Sequence, residues 1–301
     1  TLSGDNTYTG LTTINYGTLK LGAAGGGTNT PLGTTGAGTS VTSGAVLDLN
    51  GFTLGTAEAL TLNGTGISSG GALTNSSASS ATYSGLITLA SASSIVSSSG
   101  DIVISNTGTI TGATFGLTLG GTATGSSIAS IIGTTSGTVT EIGSGTWTLS
   151  GASTYTGLTT ISVGTLKLGA TGVLTNNPLG TVAAGTVVAD GAALDLNGFA
   201  YTAEETLTLN GTGISSGGAL TNSSADAGIW DGPIILGSDA SIIAATGTIT
   251  LLPVDDTITG SGFGLTLGGA ANGTLGPGTI ETGSGTVTKI GAGTWTLLGV
   301  N

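Results

Sequence analysis

The chain has 301 residues, with 59 glycines, five prolines and no cysteine, methionine or histidine. Its 15 acidic residues outnumber the lysines Lys20, Lys167 and Lys289 and give a net charge of −12. This charge excludes binding to phosphate backbones, disfavours anionic membrane surfaces and is interpreted as an aid to solubility. No run approaches the roughly 18 apolar residues of a membrane helix, so we predict no membrane insertion. From the net charge we predict no nucleic-acid partner. We predict an all-β chain.

The sequence is a tandem repeat of one module. TLSGDNTYTGLTTINYGTLKLG at Thr1–Gly22 returns as TLSGASTYTGLTTISVGTLKLG at Thr148–Gly169, and the GTWTL at Gly145–Leu149 returns at Gly293–Leu297. We therefore divide the chain into modules 1–147 and 148–301. Since a fixed period is typical of stacked architectures, we expect one continuous solenoid. The missing methionine and the matching ends predict a window of a longer array.

Within a module, short β-rich runs alternate with glycine and asparagine turns. The runs TTIN and TLKL of residues 12–21 predict that Ile14, Leu19 and Leu21 face inward while Thr13 and Lys20 face outward. A glycine-rich loop containing Pro31 or Pro178 follows as a turn. In VLDLNGF (residues 46–52) and ALDLNGF (residues 193–199), the Asn-Gly pair predicts a turn with positive φ.

The later parts of the modules diverge but keep their apolar spacing. A one-residue insertion near Pro253–Asp256 changes the offset, after which both copies close on GTVT-x-IG-x-GTWTL. The many short runs without hairpin regularity permit a sandwich, a barrel or a parallel β-helix, and the repeat favours the β-helix. At about 20–25 residues a coil, a module contains roughly six or seven coils and about 30 Å of axial length.

The segment GTWTLSGASTYTGLTTISVGTLKLG, Gly145–Gly169, resembles the autotransporter-associated β-strand repeat of bacterial autotransporter passengers and other long surface proteins. The resemblance is complete over this segment and returns, cut short, at both ends of the chain. It implies a right-handed parallel β-helix outside the cell, at the bacterial surface, and no particular activity.

Few side chains could take part in catalysis, and comparison of the two copies reduces the number of candidate residues further. Only Asp48/Asp195 and Glu58/Glu205 are acids at equivalent positions. Asp48 and Asp195 are the best general acid or base candidates, but we expect solvated aspartates beside turns. Glycoside hydrolysis needs two facing carboxylates, and no such pair recurs; a polysaccharide lyase is disfavoured without arginine.

Nucleophile and metal chemistry is also poorly supported. Without histidine and cysteine only Ser-Lys nucleophiles remain open, and Lys20 and Lys167 are expected to be exposed charges that block lateral strand pairing. Transition-metal ligands, calcium-binding nonapeptides and phosphate loops are absent from the sequence, so we predict no catalytic, cofactor or metal site.

The polar surface and the aromatic residues leave binding open. Thr-x-Thr triplets are plentiful but unevenly spaced, which favours threonine as a strand former over an ice-like array. Repeated aromatics are expected in the core or in turns rather than as a sugar platform; they are Tyr8/Tyr155, Phe52/Phe199, Phe115/Phe263 and Trp147/Trp295. Five Asn-x-Ser/Thr sequons are expected by chance, at Asn63, Asn75, Asn210, Asn222 and Asn272.

We therefore predict a non-enzymatic module of an extracellular stalk or fibre whose main partner is itself. The modules could be a covalent array or subunits stacked end to end, and other surface fibres or glycans are further partners. The alternative is an adhesin-type module that binds host surfaces, glycans or ice through a threonine-rich face.

Overall fold

The computed structural model describes residues 1–174, 177–252 and 257–299, which form two units, Thr1–Gly151 and Ala152–Asn301. The chain is all-β with 2% helix, and in each unit parallel sheets form a β-solenoid. This confirms the predicted all-β, parallel β-helical fold class. The predicted continuity between the two modules stays a prediction, and the insertion predicted near Pro253–Asp256 lies outside the described residues.

In unit 1, each turn of the chain contributes short strands to three parallel ladders. Ladder one comprises Thr12–Ile14, Thr39–Val41, Leu60–Gly64, the first half of Ile87–Ser97, Thr109–Thr111 and Ile131–Gly133. Ladder two comprises Gly17–Lys20, Ala45–Asp48, Leu73–Thr74, the second half of Ile87–Ser97, Leu117–Gly121 and Val139–Glu141. Ladder three comprises Thr53–Leu54, Ala81–Tyr83, Ile102–Ile104, Ser126–Ile128 and Thr146–Leu149.

Unit 2 repeats the three ladders. Ladder one comprises Thr159–Ile161, Thr186–Val188, Leu207–Gly211, the first half of Ile234–Ala244, Ile258–Thr259 and Ile280–Glu281. Ladder two comprises Thr165–Leu168, Ala193–Asp195, Leu220–Thr221, the second half of Ile234–Ala244, Leu265–Gly269 and Val287–Lys289. Ladder three comprises Gly172–Val173, Ala200–Thr202, Gly228–Trp230, Ile249–Leu251, Gly273–Leu275 and Trp295–Leu297.

Two kinds of local structure interrupt the ladders. Asn29–Thr30 and Gly33–Thr34 form a small antiparallel pair in unit 1. Within the described residues each unit also has one 3-10 turn, Ile67–Ser69 and Ile214–Ser216, which the sequence did not predict. Such excursions lengthen individual coils, so that Thr39 pairs with Leu60 of the next coil whereas Thr53 pairs with the more distant Thr82. The coils are therefore less even in length than expected.

Aliphatic side chains stack in columns along the interior of each unit. In ladder two of unit 1, Leu47, Leu73, Ile95 and Leu119 lie in register and each is 0% exposed. Each such burial contributes roughly 1.5–3 kcal/mol. Ile14 and Leu21 are buried as predicted, whereas Leu19, in the first coil, is half-buried. The interior columns therefore supply the core that one coil could not form alone.

The predicted Asn-Gly turns are present in both units. Asn50 and Asn197 have φ of 50°, and Gly51 and Gly198 have φ of 77° and 78°. Asparagine and glycine tolerate this left-handed backbone better than other residues. The turns reverse the chain after the buried Leu49 and Leu196, and so they place the preceding aspartates at a corner between ladders.

Candidate functional site

The polar cluster that both copies retain is built around the aspartate before the Asn-Gly turn. Strand alternation turns Leu47 inward and Asp48 outward, and the amide of Asn50 donates to Asp48 Oδ1 at 2.9 Å. From the next coil, Ser76 donates to Asp48 Oδ1 through its amide at 3.0 Å and to Oδ2 through its hydroxyl at 2.6 Å. The carboxylate thus accepts hydrogen bonds from its own turn and from the neighbouring coil.

Lys20 completes this cluster from the preceding coil. Because Lys20 lies directly beside Asp48 in the parallel register, its Nζ reaches Asp48 Oδ2 at 3.4 Å and donates to Ser76 Oγ at 2.9 Å. We call Lys20, Asp48 and Ser76 the corner clasp of unit 1, since it joins three successive coils through one carboxylate.

Unit 2 contains the same corner clasp, formed by Lys167, Asp195 and Ser223. The lysine Nζ lies 3.2 Å from Asp195 Oδ2, and the serine hydroxyl donates to the same oxygen at 2.5 Å. The Ser223 amide donates to Asp195 Oδ1 at 3.0 Å and the lysine donates to Ser223 Oγ at 3.1 Å. Two copies that differ in most of their charges therefore keep this arrangement atom for atom.

The corner clasp corrects two sequence-based expectations. Asp48 and Asp195 are not solvated, because they are 3% and 2% exposed and are enclosed by the lysine and serine of neighbouring coils. Lys20 and Lys167, which were expected only as exposed charges, have side chains that are 40% and 27% exposed, and each also pairs with the aspartate beside it in the next coil. Neither contact follows from local sequence, since the parallel register across coils creates both.

The clasp contains serine, lysine and aspartate, but its hydrogen bonds run the wrong way for a nucleophile. A Ser-Lys mechanism needs the lysine amine to take the serine proton. Here the Ser76 hydroxyl already donates to Asp48, and Lys20 donates to the serine oxygen. The geometry thus fastens coils together and holds the serine proton on the carboxylate side.

Replacing the carboxylate tests this interpretation. We expect Asp48→Asn to lower the free energy of unfolding by about 1–3 kcal/mol, because its amide would face the Ser76 and Lys20 donors. Thermal unfolding and hydrogen exchange of residues 73–77 would measure the loss. The matched control is Asp5→Asn at an exposed position, which should stay within about 0.5 kcal/mol; equal effects of the two changes would contradict a fastening role.

Two of the five sequon asparagines have a structural role that was not predicted from the sequence. Asn75 is 0% exposed; its Nδ2 donates to Ser79 O at 2.8 Å and Asp101 O at 3.0 Å, and its Oδ1 accepts from the Gly51 amide at 2.8 Å. Asn222 repeats these bonds with Asp226, Thr248 and Gly198. The identity of both copies over NSS was the signal that could have revealed them.

A second set of polar residues retained by both copies lies in the interior. Glu58 and Glu205 are 0% exposed. Glu58 accepts from the hydroxyls of Thr30 at 3.0 Å and Thr39 at 2.5 Å, and Glu205 accepts from Thr186 at 2.6 Å. Burial raises the pKa of Glu58, and it raises the pKa of Glu205 to about 7.

A third buried acid occurs in unit 1 alone. Glu141 is 1% exposed and continues the column of Leu119 in ladder two. Its Oε1 accepts from the Gly143 amide at 2.7 Å, and its Oε2 has no hydrogen-bond partner among the described residues. Burial raises the pKa of Glu141 to about 9. In unit 2 the corresponding Lys289 is exposed and donates to the carbonyls of Ile290 and Gly291.

The repeated aromatic residues mostly pack rather than form an open platform. Tyr155 and Trp147 are 0% and 1% exposed, whereas Tyr8 is 42% exposed. The Nε1 of Trp147 donates to Gly120 O and that of Trp295 to Gly268 O, each at 3.0 Å. In unit 2, Tyr201 and Trp230 are stacked with ring centres 4.6 Å apart. Comparison of the two copies did not identify this pair, because the equivalent residues of unit 1 are Leu54 and Tyr83.

An open groove of about 430 Å³ in unit 2 brings together two acidic side chains, Asp190 and Asp239, beside Phe263. The corresponding residues of unit 1 are Ser43, Ala92 and Phe115. The carboxylate pair is thus a feature of one copy. In the described part of the chain, no group of three or more acidic residues is arranged to hold a metal ion.

Outward-facing hydroxyls form single columns rather than stacked Thr-x-Thr pairs. In ladder one of unit 1 a column lies in register; it comprises Thr13, Ser40, Thr61, Thr88 and Thr111. Val187 and Ile235 interrupt the corresponding column of unit 2. Uneven sequence spacing therefore concealed a hydroxyl column that the coil register creates.

The comparisons with known proteins agree with the motif. Three segments, residues 1–21, 139–168 and 287–301, match the model of the passenger-associated-transport-repeat, a repeat of autotransporter passengers. This match confirms the resemblance and supports a secreted or surface-exposed passenger segment, although most of the chain is unmatched. Neither a curated protein nor a solved structure matches the chain. Among the described residues, no helix has the length and apolarity to cross a membrane.

Proposed function

We propose that this chain is a non-catalytic structural segment of a stalk or fibre on the bacterial surface, in which modules follow one another end to end. The observation that carries the proposal is the corner clasp. Both copies keep Lys, Asp and Ser at these positions, and in both copies the three side chains join successive coils. A rod under lateral or pulling forces needs such bonds between coils, whereas a catalytic carboxylate needs access to a substrate.

The interior supports the same role. Within each unit the apolar columns and backbone ladders run from coil to coil, so that stability grows with the number of coils. The outward faces carry neutral hydroxyls over much of their length, which leaves few strong lateral attachment points. The primary partner is then another module, either in the same covalent chain or as a stacked subunit.

Electron microscopy of the native material tests the proposal. Six coils per unit at about 4.8 Å predict an axial repeat of roughly 30 Å, or a multiple of it, along thin filaments. Short isolated rods would overturn the fibre assignment. Treatment of the filaments with denaturant, followed by refolding of single chains, distinguishes the two arrangements. Covalent tandem modules would still show the axial repeat within one chain, whereas stacked subunits would give separate short rods.

A specific observation favours the second candidate, an adhesin-type surface for glycans, host surfaces or ice. The hydroxyl column from Thr13 to Thr111 lies in register on ladder one, and such a column presents repeated donors and acceptors. Glycan-array binding and ice-growth inhibition of the intact chain would measure this activity. Thr88→Lys should abolish it, while Thr208→Lys, in the interrupted column of unit 2, should leave it intact; equal binding by both variants would exclude the column.

A further inference from the structure

The interior of unit 2 holds a hydrogen-bond chain that constrains where one proton must lie. The Tyr201 hydroxyl contacts two oxygens: Asn177 Oδ1 at 2.7 Å and Glu205 Oε2, which is in close contact. The Thr186 hydroxyl donates to the other carboxyl oxygen, Glu205 Oε1, at 2.6 Å. All four side chains are at most 1% exposed, so water cannot easily supply a missing proton.

The orientation of the asparagine amide is fixed by its neighbour. The amide of Leu179 donates to Asn177 Oδ1 at 3.0 Å. A flipped amide would point its NH₂ group at this donor, which leaves the observed orientation as the only one consistent with the contact. Asn177 Oδ1 therefore accepts from both Leu179 and Tyr201.

A tyrosine hydroxyl has one proton to donate. If the Tyr201 proton points to Asn177, the contact between Tyr201 and Glu205 requires a proton on the carboxyl group. If Glu205 were ionised, the Tyr201 proton would turn toward it, and two acceptor oxygens of Tyr201 and Asn177 would face each other at 2.7 Å. Buried acceptors that face each other without a proton are destabilising.

We propose that Glu205 is a proton-loaded lock of unit 2: as a neutral carboxylic acid it donates to Tyr201, Tyr201 donates to Asn177, and deprotonation breaks this chain. The lock connects the loop at Asn177–Leu179 to the strand Ala200–Thr202 and the turn that follows it. Loss of the proton at alkaline pH therefore loosens these segments of unit 2.

Unit 1 supplies an internal control because its equivalent acid is not constrained in this way. Thr30 stands at the place of Asn177, and Leu54 at the place of Tyr201. Thr30 accepts from the Leu32 amide at 2.9 Å and donates to Glu58 Oε2. Nothing in this bonding pattern requires a proton on Glu58, so the described part of unit 1 has no corresponding lock.

The surroundings of Glu205 contain no described cation that would favour the ionised form. The titratable groups that face it are Tyr201 and Tyr155. Its neighbour Glu204 interacts with Asp231 and raises the pKa of that aspartate further, after burial. The three lysines of the chain are engaged elsewhere, with Asp48, with Asp195, and with the carbonyls of Ile290 and Gly291.

The direction of the pH effect follows from proton linkage. An ordinary glutamate loses its proton near pH 4.5 and Glu205 in the folded chain near pH 7, through burial. Between these values the folded chain binds more protons than the unfolded chain, so the stability of unit 2 falls as pH rises. Above about pH 7 the folded form is also ionised and the lock is open.

Carbon-13 NMR of the carboxyl carbons in the intact chain tests the proposal directly. The chain has five glutamates, and Glu205 is assigned by the signal that Glu205→Gln removes. We expect this signal to titrate at about pH 7 or above, well beyond the ordinary glutamate range. A midpoint in the ordinary glutamate range would overturn the proposal.

Two variants distinguish the lock from simple burial. Asn177→Thr restores the residue of unit 1 and removes the acceptor that holds the Tyr201 proton, so the proton affinity of Glu205 should fall tenfold or more.

Glu205→Gln keeps a neutral donor toward Tyr201, and exchange protection of residues 177–181 should then persist above pH 8, where the native chain loses it. Should Glu205→Gln not fold, each of the other four glutamates is replaced by glutamine in turn, and Glu205 is the signal that none of these changes removes. A midpoint of this signal that Asn177→Thr leaves unchanged would mean that burial and not Tyr201 holds the proton. Glu58→Gln is the matched control and should not change protection in unit 2.

Discussion

Gly66→Ala is expected to destabilise unit 1 by about 3–5 kcal/mol, combining a backbone conformation open essentially to glycine alone with steric overlap. Gly66 precedes the 3-10 turn and has φ of 74° and ψ of −165°. A Cβ at this position would lie 2.0 Å from the carbonyl oxygen of Gly71. The collision involves backbone on both sides, so no side chain can rotate away to relieve it. Differential scanning calorimetry and exchange protection of residues 60–74 would measure the loss.

Substitutions of two other glycines of unit 1 distinguish the contribution of backbone conformation to this destabilisation from that of steric overlap. Gly44 has φ of 80° but open space where a Cβ would lie, so Gly44→Ala should cost only about 1 kcal/mol. Gly36 is exposed, has open space and lacks a positive φ, and Gly36→Ala should be neutral or slightly stabilising. If Gly66→Ala were no worse than Gly44→Ala, the close approach to Gly71 would not matter for stability.

The same loop shows what could be predicted from sequence. ALTLNGTGISSGGALTNSS at residues 59–77 is almost unchanged as TLTLNGTGISSGGALTNSS at residues 206–224, and both segments read as strand, turn and strand. The Asn-Gly turns were predicted from local rules and are present in both units. These features depend on a few neighbouring residues, so sequence patterns contain enough information to place them.

The register between coils could not be predicted from sequence. Lys20 meets Asp48 and Asp48 meets Ser76 because successive coils align in parallel, and the two residues of the Asp48–Ser76 pair lie 28 residues apart. Elsewhere the length of chain between paired residues changes from coil to coil, so nothing in the sequence marks the spacing of the clasp residues as the length of a coil. This unevenness concealed the hydroxyl column from Thr13 to Thr111, whereas the clasp aspartates were expected to be exposed because each precedes an Asn-Gly turn.

Interior polar residues were missed for a different reason. Glu58 and Glu205 were noted only as acids that recur in both copies, and nothing in the local sequence indicated that they are buried. Comparison of the copies favours residues that stay the same, so it overlooked Asn177, Tyr201 and Trp230, which occur in unit 2 alone. Differences between equivalent positions are therefore as informative as identities once the structure shows which of them are buried.

Glu141→Gln is expected to stabilise unit 1 strongly at alkaline pH, because Glu141 is a buried carboxyl group in a column of aliphatic side chains. Its burial raises its pKa from 4.5 to about 9. Below about pH 4.5 the carboxyl group is neutral in both the folded and the unfolded chain. As pH rises toward 9, only the folded chain keeps the proton, so stability falls with each unit of pH.

At pH 8 this difference corresponds to roughly 5 kcal/mol. A glutamine, neutral at every pH, removes it while keeping the acceptor for the Gly143 amide. Unfolding midpoints at pH 5 and pH 8 would measure the change, with Glu281→Gln, at an exposed position, as the control. The variant and the native chain should be similar at pH 5 and separate at pH 8. A parallel pH dependence of the two would show that Glu141 is ionised at an ordinary pH and reaches solvent. A gain confined to high pH would instead show that this stack tolerates an ionisable group in its core only while that group keeps its proton.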